Sequence, residues 1–128
     1  MVASVADPSL YQRLGGYDVI AAFTDQWLGY VLGDPLLAPY FRGMSNDTKG
    51  RARQLIVDFI AASTGGPTIY TGRDMKTLHT GLGISREEYD ALLQHAKATL
   101  EAVGVGDREK DDVLRWMTSL EGDMVERR

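Results

Sequence analysis

One stretch constrains the fold of this chain more than any other. Apolar residues recur at helical spacing almost throughout, yet between Gly65 and Ile84 the pattern collapses. Glycines at 65, 66, 72, 81 and 83 and a proline at 67 punctuate that segment. It leaves room only for a short helix that carries Met75, Leu78 and His79 behind an Asp74 cap. A simple four-helix bundle fills its own core and needs no irregular middle. Either this middle is a long surface loop, or a bound apolar disc covers the apolar faces around it.

The rest reads as all-α. Asp7-Pro8 reads as a cap followed by proline in the first helical position, and this short helix stops at Gly15-Gly16. Ile20, Phe23, Trp27 and Val31 share one face of a helix over about 18–32, which Gly33-Asp34-Pro35 ends. Leu36 to Phe41 forms a restrained apolar turn. Asn46 or Asp47 is positioned to cap a helix with Ala52, Leu55, Ile56, Phe59 and Ile60 on its apolar face. Ser85-Arg86-Glu87-Glu88 is a capping box ahead of a stripe of Tyr89, Leu92, Leu93, Ala96, Leu100 and Val103. A last helix is expected over about 107–126, with Val113, Met117, Leu120 and Met124 aligned. No segment alternates as a strand, and no repeat is present. The 128 residues suit one domain, with about 1–9 as a short extension.

Composition then removes most chemistry. There is no cysteine, so thiolate nucleophiles, Cys-ligated metals and disulfides are excluded, and only two histidines, His79 and His95, remain. A net charge of −4 argues against nucleic acid and anionic membranes as partners. No apolar run approaches the roughly 20 residues of a spanning helix, and no leader pattern is evident; a cytoplasmic location is expected. Hydrolase, P-loop and EF-hand signatures are absent. On composition alone His79 reads as an ordinary histidine. The aromatics Trp27, Tyr40, Phe41, Phe59 and Tyr89 are either core or the planar walls of a pocket. Lys49, Arg51 and Arg53 are either a solvated face or cations at a pocket mouth.

The ordered motifs resemble one family. Leu10-Tyr11-Gln12-Arg13-Leu14-Gly15-Gly16 is followed by Asp34-Pro35-Leu36-Leu37-Ala38-Pro39-Tyr40-Phe41. Gly65-Gly66-Pro67, then Tyr70-Thr71-Gly72-Arg73-Asp74-Met75-Lys76 leading into His79, and Gly81-Leu82-Gly83-Ile84 complete the set. Together they resemble the truncated haemoglobins of group I over about 10–125. The resemblance implies a shortened globin, two antiparallel helix pairs stacked across each other around haem b. It implies His79 as the proximal iron ligand and Phe41 as an aromatic wedge. Trp27, Leu28, Ala52, Ile56 and Phe59 become the distal wall. Met75, Leu78, Leu82, Ile84 and Tyr89 become the proximal side and rim, closed by Val113 and Met117, with Tyr40 also at the site.

The resemblance further implies reversible binding of O2, CO or NO, with an NO-detoxifying, NO dioxygenase-like or other redox role served by a reductase. It suggests a monomer or weak dimer. Departures from the family pattern carry information. Leu28 stands where a tyrosine commonly donates to bound oxygen, and Ala52 and Ile56 stand where glutamines are common. Gln54 is the one amide nearby, and Trp27 carries the other candidate N–H. Leu82 stands where a base often meets a haem propionate, so Arg53, Lys49 or Arg73 would take over that pairing. Without a distal donor, oxygen is expected to be held weakly. A haem-free helical interaction domain that kept a globin-like core is the rival from a different class. A peroxidase-like enzyme is disfavoured because no distal acid–base group is apparent.

Overall fold

Side-chain caps decide where most of the helices begin. The computed structural model describes residues 8–127. Among them Ser9, Ser45, Asp74 and Ser85 each accept a hydrogen bond from the backbone N–H three residues on. The helices that follow are α1 (Leu10–Leu14), α2 (Tyr17–Gly33), α3 (Asn46–Ser63), α4 (Met75–His79), α5 (Arg86–Ala102), α6 (Asp107–Ser119) and α7 (Glu121–Met124). A 3-10 turn over Ala38–Phe41 joins α2 to α3. The described residues hold no strand, only an isolated bridge between Ser85 and Arg127.

Three expected boundaries move. The expected cap at Asp7 lies outside the described residues, and α1 starts instead from a capping box of Ser9 and Gln12. Asn46 is the first residue of α3 and Ser45 is its cap. The last helix does not run unbroken to 126: it ends at Ser119, and Leu120 both closes α6 and opens α7. That break turns the chain so that Val125 is buried beside Ile84 and Tyr89.

The fold consists of two antiparallel helix pairs, α2 with α3 and α5 with α6, stacked across one another through α2 and α5. Ile20, Phe23, Val57, Ile60, Ala61, Ala96, Leu100 and Val113 form the main core between them. A second, smaller core of Ile84, Tyr89 and Val125, with Tyr40, Leu92, Leu93 and Met124 against it, lies beside α4 and α7. The Gly-rich middle is irregular from Gly65 to Asp74, as the sequence implies. Gly66 is needed there for close approach, because a Cβ would sit 2.5 Å from the Tyr11 ring and 2.9 Å from the Ala61 carbonyl.

Candidate functional site

Between the helix pairs lies a cavity of about 360 Å³, within the roughly 300–1,000 Å³ typical of small-molecule sites. From α2 come Phe23, Trp27, Leu28 and Val31, and from the 3-10 turn Tyr40 and Phe41. Helix α3 supplies Ala52, Leu55, Ile56 and Phe59. Met75, Leu78 and His79 enter from α4, followed by Leu82 and Ile84 from the loop behind it. Glu88, Tyr89 and Leu92 come from α5, and Val113, Trp116 and Met117 from α6. Every site residue expected from the sequence therefore meets at this cavity except Arg53.

Arg53 is absent from the lining. Its guanidinium grips Asp25 with Nε at 2.7 Å and Nη2 at 3.0 Å, a fork that ties α3 to α2. Gln54 also turns outward and is exposed, its amide donating to the Tyr17 hydroxyl at 2.7 Å and to Asp58 at 3.0 Å. Lys49 and Arg73 are likewise outside the lining.

Four of the five lining tryptophan and tyrosine side chains have their polar tips anchored in the protein, Trp116 being the exception. The Trp27 indole N–H donates to the Leu92 carbonyl at 3.2 Å. The Tyr40 hydroxyl donates to Glu88 Oε1 at 2.5 Å. The Tyr70 hydroxyl donates to the Arg73 carbonyl at 2.5 Å, and the Tyr89 hydroxyl to the Met117 carbonyl. Burial pushes the Tyr89 phenol up to about 12, so it remains a neutral donor. Burial also raises Glu88, but hydrogen bonds from Tyr40 and Ser85 and the Arg127 charge outweigh that, and its carboxyl stays below its ordinary range. The capping box expected at Ser85 and Glu88 forms, and Glu88 also fastens Tyr40 to α5.

His79 differs from these groups. Its Nδ1 lies 2.7 Å from the Met75 carbonyl oxygen, which can only accept. Nδ1 therefore carries a proton, and in the neutral ring the Nε2 lone pair is left free. Among the described residues no cluster of three or more His, Cys, Asp or Glu is arranged to hold a metal ion; His79 is the one imidazole in the cavity lining, and the one carboxylate there, Glu88, is engaged by Tyr40 and Arg127. His95 is far from such a role: it lies outside the lining, with Nε2 2.7 Å from Asp34 Oδ2.

Several lining residues were not singled out from the sequence. Trp116 sits three residues after Val113 and one before Met117, so the α6 stripe contained the signal for it. Phe23 and Leu55 were assigned to apolar faces but not to the site. Tyr70 had no periodic signal, because its ring reaches the cavity by folding back over Gly72; a Cβ there would lie 2.2 Å from the Tyr70 hydroxyl.

The described residues thus form a helical fold wrapped around an apolar, aromatic cavity with a single imidazole in its lining, the arrangement found in globins. The Bacterial-like globin family model matches residues 9–126. A group 1 truncated hemoglobin of Mycolicibacterium paratuberculosis is 34% identical over 85% of this chain and 79% of its own length. One from Nostoc commune is 30% identical over 89% of this chain and 94% of its own. The Fe(III) crystal structure of the Tetrahymena pyriformis truncated hemoglobin superposes with a TM-score of 0.85 at 25% identity, covering 94% of this chain and all of that one. The chain belongs to the bacterial-like globins, and among them to the truncated haemoglobins of group 1. It is accordingly a globin haem protein of the gas-binding kind. The residues present fit that group: flat apolar walls, and one imidazole whose Nε2 is directed by the bond at Nδ1. No helix among the described residues is long and apolar enough to cross a membrane.

Proposed function

We propose that the cavity holds haem b with His79 Nε2 as its proximal axial ligand, and that O2, CO or NO binds reversibly on the opposite side. The observation that carries this reading is the 2.7 Å contact from His79 Nδ1 to the Met75 carbonyl. It orients the ring and, in the neutral imidazole, puts the proton on Nδ1 and leaves Nε2 as the donor atom. When bound, the haem supplies an iron that can take a diatomic ligand. This chain's residues hold it and set its surroundings. Met75, Leu78, Leu82 and Ile84 pack on the His79 side, and Leu28, Ala52, Ile56 and Phe59 form the distal wall. Phe41 and Tyr40 close one edge.

The distal wall so drawn offers apolar atoms. Trp27 and Gln54, the two donors raised by the sequence, direct their N–H groups to Leu92 and to Tyr17 and Asp58. Oxygen is then held weakly and released fast, while CO and NO, which depend less on a donor, are affected less. An NO-detoxifying turnover would draw its electrons from a reductase, and this chain acts in the cytoplasm as a monomer or weak dimer.

The test is the absorption spectrum of the purified ferrous protein with and without CO. A Soret band of a five-coordinate ferrous haem that shifts with CO is expected. His79→Ala should abolish that spectrum while far-UV circular dichroism is retained. A haem-free protein that refuses reconstitution would leave the helical interaction domain as the better reading, and an unchanged spectrum in His79→Ala would refute the ligand assignment.

A further inference from the structure

Helix α4 has five residues, too few to hold itself in place by its own hydrogen bonds. Its position must come from what grips its two ends. At the front, Asp74 accepts from the Thr77 N–H at 3.1 Å and from the Thr77 hydroxyl at 2.6 Å. At the back the chain turns through Gly81, Leu82 and Gly83, and the Leu82 N–H returns to the His79 carbonyl at 3.2 Å.

The grip on this turn comes from the far end of the sequence. The Gly81 N–H lies 3.0 and 3.1 Å from the two carboxylate oxygens of Glu126, and the Gly83 N–H donates to Oε1 at 2.8 Å. Gly81 and Gly83 have φ of +92° and +68°. These left-handed angles let both N–H groups converge on one anion. The donors hold the Glu126 carboxyl below its ordinary pKa range.

Glu126 is itself fixed. Its own N–H and that of Arg127 donate to the Ile84 carbonyl at 2.8 and 3.1 Å, and the Arg86 N–H donates to the Arg127 carbonyl at 2.9 Å. Val125 is buried with Ile84 and Tyr89. Arg127 reaches the Gly83 carbonyl at 2.5 Å and Glu88 at 3.2 Å. Residues 125–127 thus form a strap across the end of the His79 segment.

We infer that Glu126 is a positioning residue for His79: its carboxylate fixes the turn behind α4, and through it the height and tilt of the imidazole and the retention of the haem. This rests on His79 being the axial ligand.

The experiment uses the full haem-loaded chain as wild type, Glu126→Ala and Glu126→Gln. Hydrogen exchange of the peptide covering 80–84 should be about tenfold faster in Glu126→Ala, the size of effect expected for losing charge-assisted hydrogen bonds at an exposed site. Peptides from α5 should keep their wild-type rates. Haem transfer to excess apomyoglobin should accelerate, and the ferrous iron–imidazole stretching frequency should move. Glu126→Gln, which keeps an acceptor oxygen, should recover most of all three. Should Glu126→Ala not fold, Glu126→Asp supplies the same readouts, since its carboxylate falls short of the amides by one methylene. Wild-type exchange over 80–84 with wild-type haem transfer would overturn the inference, as would exchange that rises equally everywhere. A wild-type spectrum in His79→Ala marks failure of the ligand reading instead; loss of that spectrum with no effect of the Glu126 variants marks failure of this inference alone.

Discussion

Leu28→Tyr is the sharpest probe of the distal wall. Leu28 is half-buried and lines the cavity from α2. The tips of Trp27, Tyr40, Tyr70 and Tyr89 are each held by an acceptor in the protein, so these aromatics do not supply a donor. A phenol at 28 would introduce one. Oxygen carries partial negative charge when bound to ferrous haem, and a buried hydrogen bond to a charged partner contributes about 1.5–3 kcal/mol. That converts to roughly a ten- to hundredfold slower release. The assay is stopped-flow displacement of oxygen by CO. CO dissociation measured in parallel serves as the control, because CO gains little from a donor. The larger side chain can cost about 1–3 kcal/mol of overpacking, so thermal unfolding is measured beside the kinetics. The reasoning is refuted if wild-type oxygen release is already very slow and Leu28→Tyr slows it no further.

Trp27→Phe removes the indole bond to the Leu92 carbonyl. It should destabilise the protein by about 1–2 kcal/mol in urea unfolding and leave oxygen and CO kinetics unchanged; altered kinetics would give Trp27 a distal role. Gly66→Ala forces a Cβ into the Tyr11 ring and the Ala61 carbonyl, and should cost about 1–3 kcal/mol by the same measurement. The carboxyls of Asp25, held by Arg53, Asp34, held by His95, and Asp74, held by Thr77, all lie below their ordinary values. Their folded forms therefore bind protons less readily than the unfolded chain. The stability they contribute is present above about pH 4, the unfolded carboxylate range, and is lost as pH falls through the folded values. A melting temperature that stays flat below pH 4 would contradict this.

What the sequence made legible was the chemistry that acts over three or four residues. Asp74 and the Ser85/Glu88 box announce their helices because a cap needs only its own first turn. The inward stripes of α2, α3 and α5 are equally local and legible as apolar faces; which of their residues form a site came from the family resemblance, because periodicity alone does not separate core from pocket wall. What depends on two distant segments meeting was not legible. Arg53 read as a cation at a pocket mouth because its partner, Asp25, sits on another helix. The end of α6 read as one long helix because nothing local stops it. The break at Leu120 serves Val125 and Glu126, whose partners lie near 81–89. Gln54 could not be oriented without knowing that Tyr17 lies beside it.

The same distinction explains why the aromatics divide as they do. A cavity of about 360 Å³ between packed helices loses dispersion contacts along its walls and tends to close. The walls resist because three of the aromatics join different elements at their polar ends. Trp27 ties α2 to the backbone of α5, Tyr40 ties the 3-10 turn to Glu88 on α5, and Tyr89 ties α5 to the backbone of α6. Each ring presents carbon to the interior while its N–H or O–H spans an element boundary. One set of residues thereby joins neighbouring elements and turns its own three donors away from the cavity. Of the three only Trp27 stands on the wall proposed as distal, so its bond to Leu92 withdraws a donor there, and a donor added to that wall, as in Leu28→Tyr, would be a tip with no such fastening to satisfy it.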